Sequence, residues 1–178
     1  MIKKLALIIG FIICLSSCGK DYVYRIEGEL SNLEGQTVYA VFEKDNYKVV
    51  DTVACTKPGQ FQIDQNEAGF HCVTIFFADK EHWVTAYLEP GETVKITGDA
   101  NSPLLLQVKG GRTNDKLTAF KKKIAPLLTE LTNLSNSLNS KDLNDTIEET
   151  DIAARLANVN MQLSEEAIRY VKENPDEE

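Results

Sequence analysis

No Cys-x-x-Cys pair occurs in the 178 residues, so the chain has no local motif for the low-pKa dithiol of disulfide-exchange catalysis. Histidine is scarce, with only His71 and His82, and no ligand pair stands at zinc spacing. His71 and Cys72 adjoin each other, and neighbours on a strand point to opposite faces, so His71, Cys72 and His82 are not expected to hold a metal. Basic residues number 19 against 27 acidic ones, a net charge of −8. A chain without a basic stripe lacks the phosphate neutralisation that drives nucleic-acid binding. No phosphate loop, Ser-His-Asp set or carboxylate pair follows from spacing, and no cofactor is implied. After Gly111 there is no glycine, and Pro126 is the one internal proline. That scarcity divides the chain into a turn-rich first part and a turn-poor second part.

The longest apolar run, Leu5 to Cys14, is too short for a membrane span, which takes roughly 20 residues. It follows a basic start, Met1-Ile2-Lys3-Lys4, and precedes the small pair Ser16-Ser17 and Cys18. Charged, apolar, then small is the layout of a secretory signal. Leu15-Ser16-Ser17-Cys18 resembles the lipobox of bacterial lipoproteins, in which a peptidase cuts before the cysteine and the cysteine takes the lipid. The resemblance implies a signal peptide over residues 1–17, lipidation of Cys18, a lipidated tether over 18–21 and anchoring to a membrane of the cell envelope. Gly19 is not the aspartate that retains Gram-negative lipoproteins in the inner membrane, so the periplasmic face of the outer membrane is the expected address. The mature chain has the length of one ordinary domain, or of a small domain with a helical appendage.

From Tyr22 apolar residues alternate with polar ones: Tyr22, Tyr24, Ile26, Gly28, Leu30. Period two marks a half-buried strand. Further strands are expected at Thr37–Glu43, Tyr47–Thr56, Phe61–Gln65, Phe70–Ala78, Trp83–Leu88, Thr93–Gly98 and Leu105–Lys109. Turn signals separate them, among them Pro58-Gly59 and Pro90-Gly91, where proline presets one turn position and glycine accepts the positive φ of the next. Phe70–Ala78, the most apolar, is expected in the middle of a sheet. Eight short strands in a meander suggest an antiparallel β-sandwich-like domain over 22–110.

Beyond Gly110-Gly111, Leu117, Phe120, Ile124, Leu127, Leu131, Leu134 and Leu138 step by threes and fours, a heptad seam. Pro126 falls outside the seam and removes the donor to the Lys122 carbonyl, which predicts a kink. Thr146-x-x-Glu149 fits a capping box. Ile152, Leu156, Val159, Leu163 and Ala167, extended by Ile168 and Val171, form a second seam that ends at Asn174-Pro175. The expectation is a long antiparallel helical hairpin over 111–174 with a tail at 175–178. Lys121–Lys123, and Glu148, Glu149, Asp151, Glu165 and Glu166, read as solvated helix backs. Leu128 and Ile168 lie off the seams and suggest a further contact: with the sheet, with a second copy, or with a partner.

Tyr24-x-Ile26-x-Gly28-x-Leu30-x-Asn32-x-x-Gly35, Asp51-Thr52, Pro58-Gly59-x-Phe61, Leu88-Glu89-Pro90-Gly91-Glu92, Gly98-Asp99, Gly110 and Asn114 together resemble the N-terminal domain of unknown function of Bacteroidetes thioredoxin-like lipoproteins, of the alkyl hydroperoxide reductase type. The resemblance covers residues 22–120, and the hairpin belongs to the same layout, ending in a phrase similar to Tyr170–Asp176. In that family a thioredoxin fold follows the phrase. This sequence ends at Glu178, so none of the family's catalytic residues has a counterpart in it. The resemblance implies a non-catalytic, lipid-anchored spacer or partner-binding module, and the helical hairpin is expected to bind a thioredoxin-like protein or a second copy. Asp51-Thr52-Val53 and Asp145-Thr146-Ile147 resemble the O-glycosylation sequon of the same bacteria, which makes Thr52 and Thr146 candidate sites. Two rivals stay open: thiol-disulfide exchange through a Cys55–Cys72 pair, and an accessory lipoprotein that binds glycan or protein on an exposed sheet.

Overall fold

The computed structural model describes residues 23–139 and 146–175. The leader, the tether with Cys18, residues 140–145 and the last three residues lie outside that range. Eight strands come first: β1 Tyr24–Ser31, β2 Thr37–Lys44, β3 Tyr47–Ala54, β4 Gln60–Gln65, β5 Cys72–Phe76, β6 Trp83–Tyr87, β7 Thr93–Asp99 and β8 Gln107–Lys109. A 3₁₀ turn, Pro103–Leu105, precedes β8. Three helices follow: α1 Arg112–Lys123, α2 Ala125–Asn139 and α3 Thr146–Glu173. Mostly β, then α, is the architecture the alternation and the heptads imply.

The strands form two sheets, in the order β4-β1-β7-β8 and β3-β2-β5-β6. Their pairing departs from a meander. β3 and β4 belong to different sheets, and β5 pairs with β2 instead of β4. β1 and β7 run parallel, Ile26 opposite Val94 and Gly28 opposite Ile96, so the sandwich is mixed and not wholly antiparallel. The local pattern specifies strands and faces; it does not say which faces meet. β5 is an interior strand of the second sheet, as its composition suggested.

Alternate residues of both sheets close one core, with Ile26, Val38, Ala40, Phe42, Val73, Ile75, Ala86 and Ile96 fully buried. Each large side chain buried in this way contributes about 1.5–3 kcal/mol. Tyr24 is buried too, and its hydroxyl accepts the Gly69 N–H at 3.0 Å. Gly28 breaks the apolar alternation of β1 because the Phe61 ring of β4 lies across it, where a Cβ would collide with that ring.

The helices are more divided than the heptads suggest. α1 is capped at Ile124 (φ −96°, ψ 8°), two residues before Pro126 and its missing donor. The hydrogen bonds from Ile124 N–H to Phe120 O and from Leu128 N–H to Ile124 O continue across the break, so the kink has become a joint between two helices. α2 and α3 pack antiparallel: Leu127, Leu131, Leu134 and Leu138 meet Ile152, Leu156, Val159 and Leu163. Beyond Leu163 the strict heptad lands on Glu166 and Tyr170. Glu166 meets Lys123 at 3.3 Å, and the Tyr170 ring stacks 4.5 Å from Phe120. Ala167, Ile168 and Val171 therefore lie outside the seam and are exposed, a correction to the apolar reading of this stretch. Leu128 is buried, and its helix lies against the 3₁₀ turn.

Candidate functional site

The two outer faces of the sandwich differ sharply. On the β4-β1-β7-β8 sheet, Arg25, Glu27, Asp64, Gln62 and Lys95 face out. Arg25 grips Asp64 through two 2.7 Å hydrogen bonds and holds its carboxyl below the ordinary range. This is a solvated surface.

The outer face of the other sheet carries more apolar and aromatic side chains, beside threonines and a Lys48–Glu43 ion pair. Register places three rows across it: Thr52–Tyr39–Phe76–Trp83, Val50–Val41–Thr74–Thr85, and Lys48–Glu43–Cys72–Tyr87. Trp83 is 54% exposed, Val50 66% and Tyr87 43%. Phe76 and Trp83 lie 6.1 Å apart by ring centroid, and the Lys80 ammonium sits 4.9 Å from the centre of the Tyr39 ring. Thr74 and Thr85 share a hydroxyl hydrogen bond of 3.1 Å in the middle row. Tyr39 and Phe76 are half-buried and Trp83 is exposed; grouped apolar surface of this kind marks interaction sites more often than scattered apolar residues do.

The edge strand of the same sheet, β6, borders the aromatic row. Phe77 N–H bonds to His82 O and Leu88 N–H to His71 O, which makes these the hydrogen-bonded pairs of the β5–β6 ladder. By alternation, the main-chain groups of Trp83, Thr85 and Tyr87 point away from β5. At Tyr87 the Asn114 side chain of α1 stands in for a strand: Tyr87 N–H donates to Asn114 Oδ1 at 2.9 Å, and Asn114 Nδ2 donates to Tyr87 O at 2.7 Å. One helical turn on, Thr118 Oγ1 donates to Val108 O at 2.5 Å and accepts Val108 N–H at 3.1 Å. Asn114 and Thr118, the buried polar residues of α1, thus fasten that helix to both sheets. At Trp83 and Thr85 no hydrogen-bonding substitute is present among the described residues, although the 3₁₀ turn lies against β6; main-chain groups left unpaired at a sheet edge can take an added strand.

The candidate residues from sequence lie apart. Cys55 follows β3, its N–H bonded to Gln36 O, whereas Cys72 stands opposite Glu43. Seven residues of β2 separate those anchor points, about 23 Å at strand spacing. Both thiols are free; the structure does not bring Cys55 and Cys72 together. Burial pushes each thiol up, with Glu43 adding to the rise at Cys72, which is opposite to the activation of a catalytic thiolate. His71 pairs with Asp45 at 2.9 Å and His82 with Asp79 at 2.6 Å, and no metal-ligating cluster forms among the described residues. Thr52 is exposed on β3, and Thr146 begins α3. Lys121 is half-buried, its ammonium pushed down by that burial, and Glu166 is held by Lys123 and Arg169; neither belongs to a solvated helix back.

Strand alternation alone did not reveal the aromatic face. β2 and β5 are apolar on both parities, a pattern that suits a strand covered on both sides, yet only one side is covered here. The family model for a domain of unknown function, DUF4369, matches residues 24–117. The chain belongs to the DUF4369 family. The match runs through all eight strands and into α1 past Asn114, so the DUF4369 unit includes the first contact that ties α1 to the β6 edge. No curated protein and no solved structure matches the chain.

Proposed function

We propose that this DUF4369 chain is a non-catalytic, lipid-anchored module of the cell envelope that binds a partner through the outer face of the β3-β2-β5-β6 sheet. The observation that carries the reading is the Tyr39–Phe76–Trp83 row beside the open main chain of Trp83 and Thr85. An edge strand with free alternating donors and acceptors accepts an extended polypeptide as an added strand, and side chains along the face supply selectivity. Cys18 and the leader before it support the anchor. The sequence resemblance supports a thioredoxin-like protein as the partner class. The same aromatic row suits stacking on a sugar ring, which is the second reading.

A photo-crosslinking residue at Thr85, introduced into the full chain in cells, is expected to give one protein adduct that disappears with Trp83→Asp. The same group at Glu29, on the polar face, is expected to give none. Equal adducts from both positions, or none from Thr85, would reject the face. An adduct of carbohydrate mass would favour the sugar reading. Insulin reduction by the purified chain should stay at background; turnover abolished by Cys55→Ser or Cys72→Ser would overturn the non-catalytic part.

A further inference from the structure

The side of α3 turned away from α2 carries a second heptad. Thr150, Ala154, Ala157, Met161, Ser164, Ile168 and Val171 step by 4, 3, 4, 3, 4 and 3, and every one of them is exposed. They stand two residues off the inner seam of Ile152, Leu156, Val159 and Leu163, so at about 100° per residue they face the opposite way. Met161, Ile168 and Val171 are 56%, 56% and 57% exposed, a spacing of apolar residues that solvent does not explain. The seam is small in its first half and large in its second.

We infer that this face pairs with the same face of a second copy, with the two α3 helices antiparallel. In that arrangement Ala154 meets Val171, Ala157 meets Ile168, and Met161 meets Ser164, and each contact occurs twice about the two-fold axis. Every layer sets a large side chain against a small one, which is how facing helix positions interdigitate. Ser164 suits its layer because its hydroxyl already donates to Asn160 O at 2.8 Å and needs no partner across the interface. Charge agrees with the same register: flanking positions bring Asp151 beside Lys172 of the other copy, and set the Glu165 carboxylate beside the neutral amide of Asn158 and not against a like charge. A parallel pair would stack alanine on alanine at one end and isoleucine on isoleucine at the other. It would also leave the Asp151 and Lys172 side chains about 31 Å apart along the axis. The self-complementary register therefore selects a second copy in the antiparallel sense.

The test uses two tagged forms of the full chain made in the same cells. Ala154→Cys in one copy and Val171→Cys in the other should form an intermolecular disulfide. Neither variant should crosslink with itself, because like positions would lie about 25 Å apart, beyond disulfide reach. Ile168→Lys in both copies should abolish the mixed crosslink. Asp151→Lys alone should weaken it several-fold, and adding Lys172→Asp should restore it, which no loss of folding would mimic. Self-crosslinking of Ala154→Cys would overturn the antiparallel register. Absence of the mixed crosslink, with single-copy mass in sedimentation of the unsubstituted chain, would overturn the pairing itself.

Discussion

Val108 has its main chain buried at the outer edge of its sheet, and one hydroxyl serves both of its polar groups. Thr118 donates to the carbonyl and accepts from the N–H. Thr118→Val keeps the shape and removes both bonds, leaving a donor and an acceptor without water. That costs about 1–3 kcal/mol. Thr118→Ser keeps the hydroxyl and loses one methyl, about 0.8 kcal/mol. Urea midpoints at unchanged slope should rank wild type, Ser, then Val; a Val variant as stable as Ser would show that the hydroxyl is not needed. Asn114 was visible in the sequence only as part of a family resemblance, and Thr118 not at all. Thr118 sits between the apolar heptad positions Leu117 and Phe120, and Asn114 just before them, where polar residues ordinarily face solvent, and only packing against β6 and β8 turns that side inward.

At the scale of elements, α1 is hydrogen-bonded to both sheets although its heptad continues into the hairpin. Gly110-Gly111 looks like a boundary in the sequence because turn residues become scarce after it; in the structure both adopt positive φ, 98° and 80°. At Gly110 a side chain would also strike the Thr93 carbonyl, so the glycine is required by close packing and not by a loose linker. Glu89 accepts the Arg112 N–H at 2.9 Å, and Asp115 accepts the Gly110 N–H at 3.2 Å, which closes the junction further. A chain from Val23 to Ile124 is expected to unfold cooperatively. A chain from Val23 to Gly110 should be less stable by on the order of 2 kcal/mol, because the clamps on Tyr87 and Val108 are gone. Equal denaturation midpoints for the two would place the boundary at Gly110-Gly111 after all. The joint at Ile124, next to the proline, is the place where the helix passes from the sandwich to the hairpin.

For the molecule as a whole, the proposed anchor and the proposed binding face act together. A lipid on Cys18 would hold the sandwich at the membrane through the short tether, and an acidic chain gains little from anionic headgroups. Attachment then rests on the acyl chains, and one chain alone binds only marginally. Cys18→Ser is expected to leave unprocessed precursor and to empty the outer-membrane fraction of mature chain. Normal processing and normal membrane recovery of that variant would remove the lipoprotein reading. Among the described residues no helix is long and apolar enough to cross a membrane.

The strands, and the inward face of β1, were legible in the sequence, because period two and turn chemistry are properties of a few adjacent residues. The same holds for the Leu127–Leu138 and Ile152–Leu163 seams, and for the positive φ of Gly59 and Gly91, 75° and 82°. The placement of β4 beside β1, the parallel β1–β7 pair and the distance between Cys55 and Cys72 were decided only by tertiary structure, since each depends on which of several similar apolar faces meet. The exposed side of Tyr39, Phe76 and Trp83 was decided in the same way. An apolar residue in sequence states a preference for burial, but which strand faces are covered depends on how the two sheets close on one another. In this chain the shared core takes one face of β2, β5 and β6 and leaves the other to solvent.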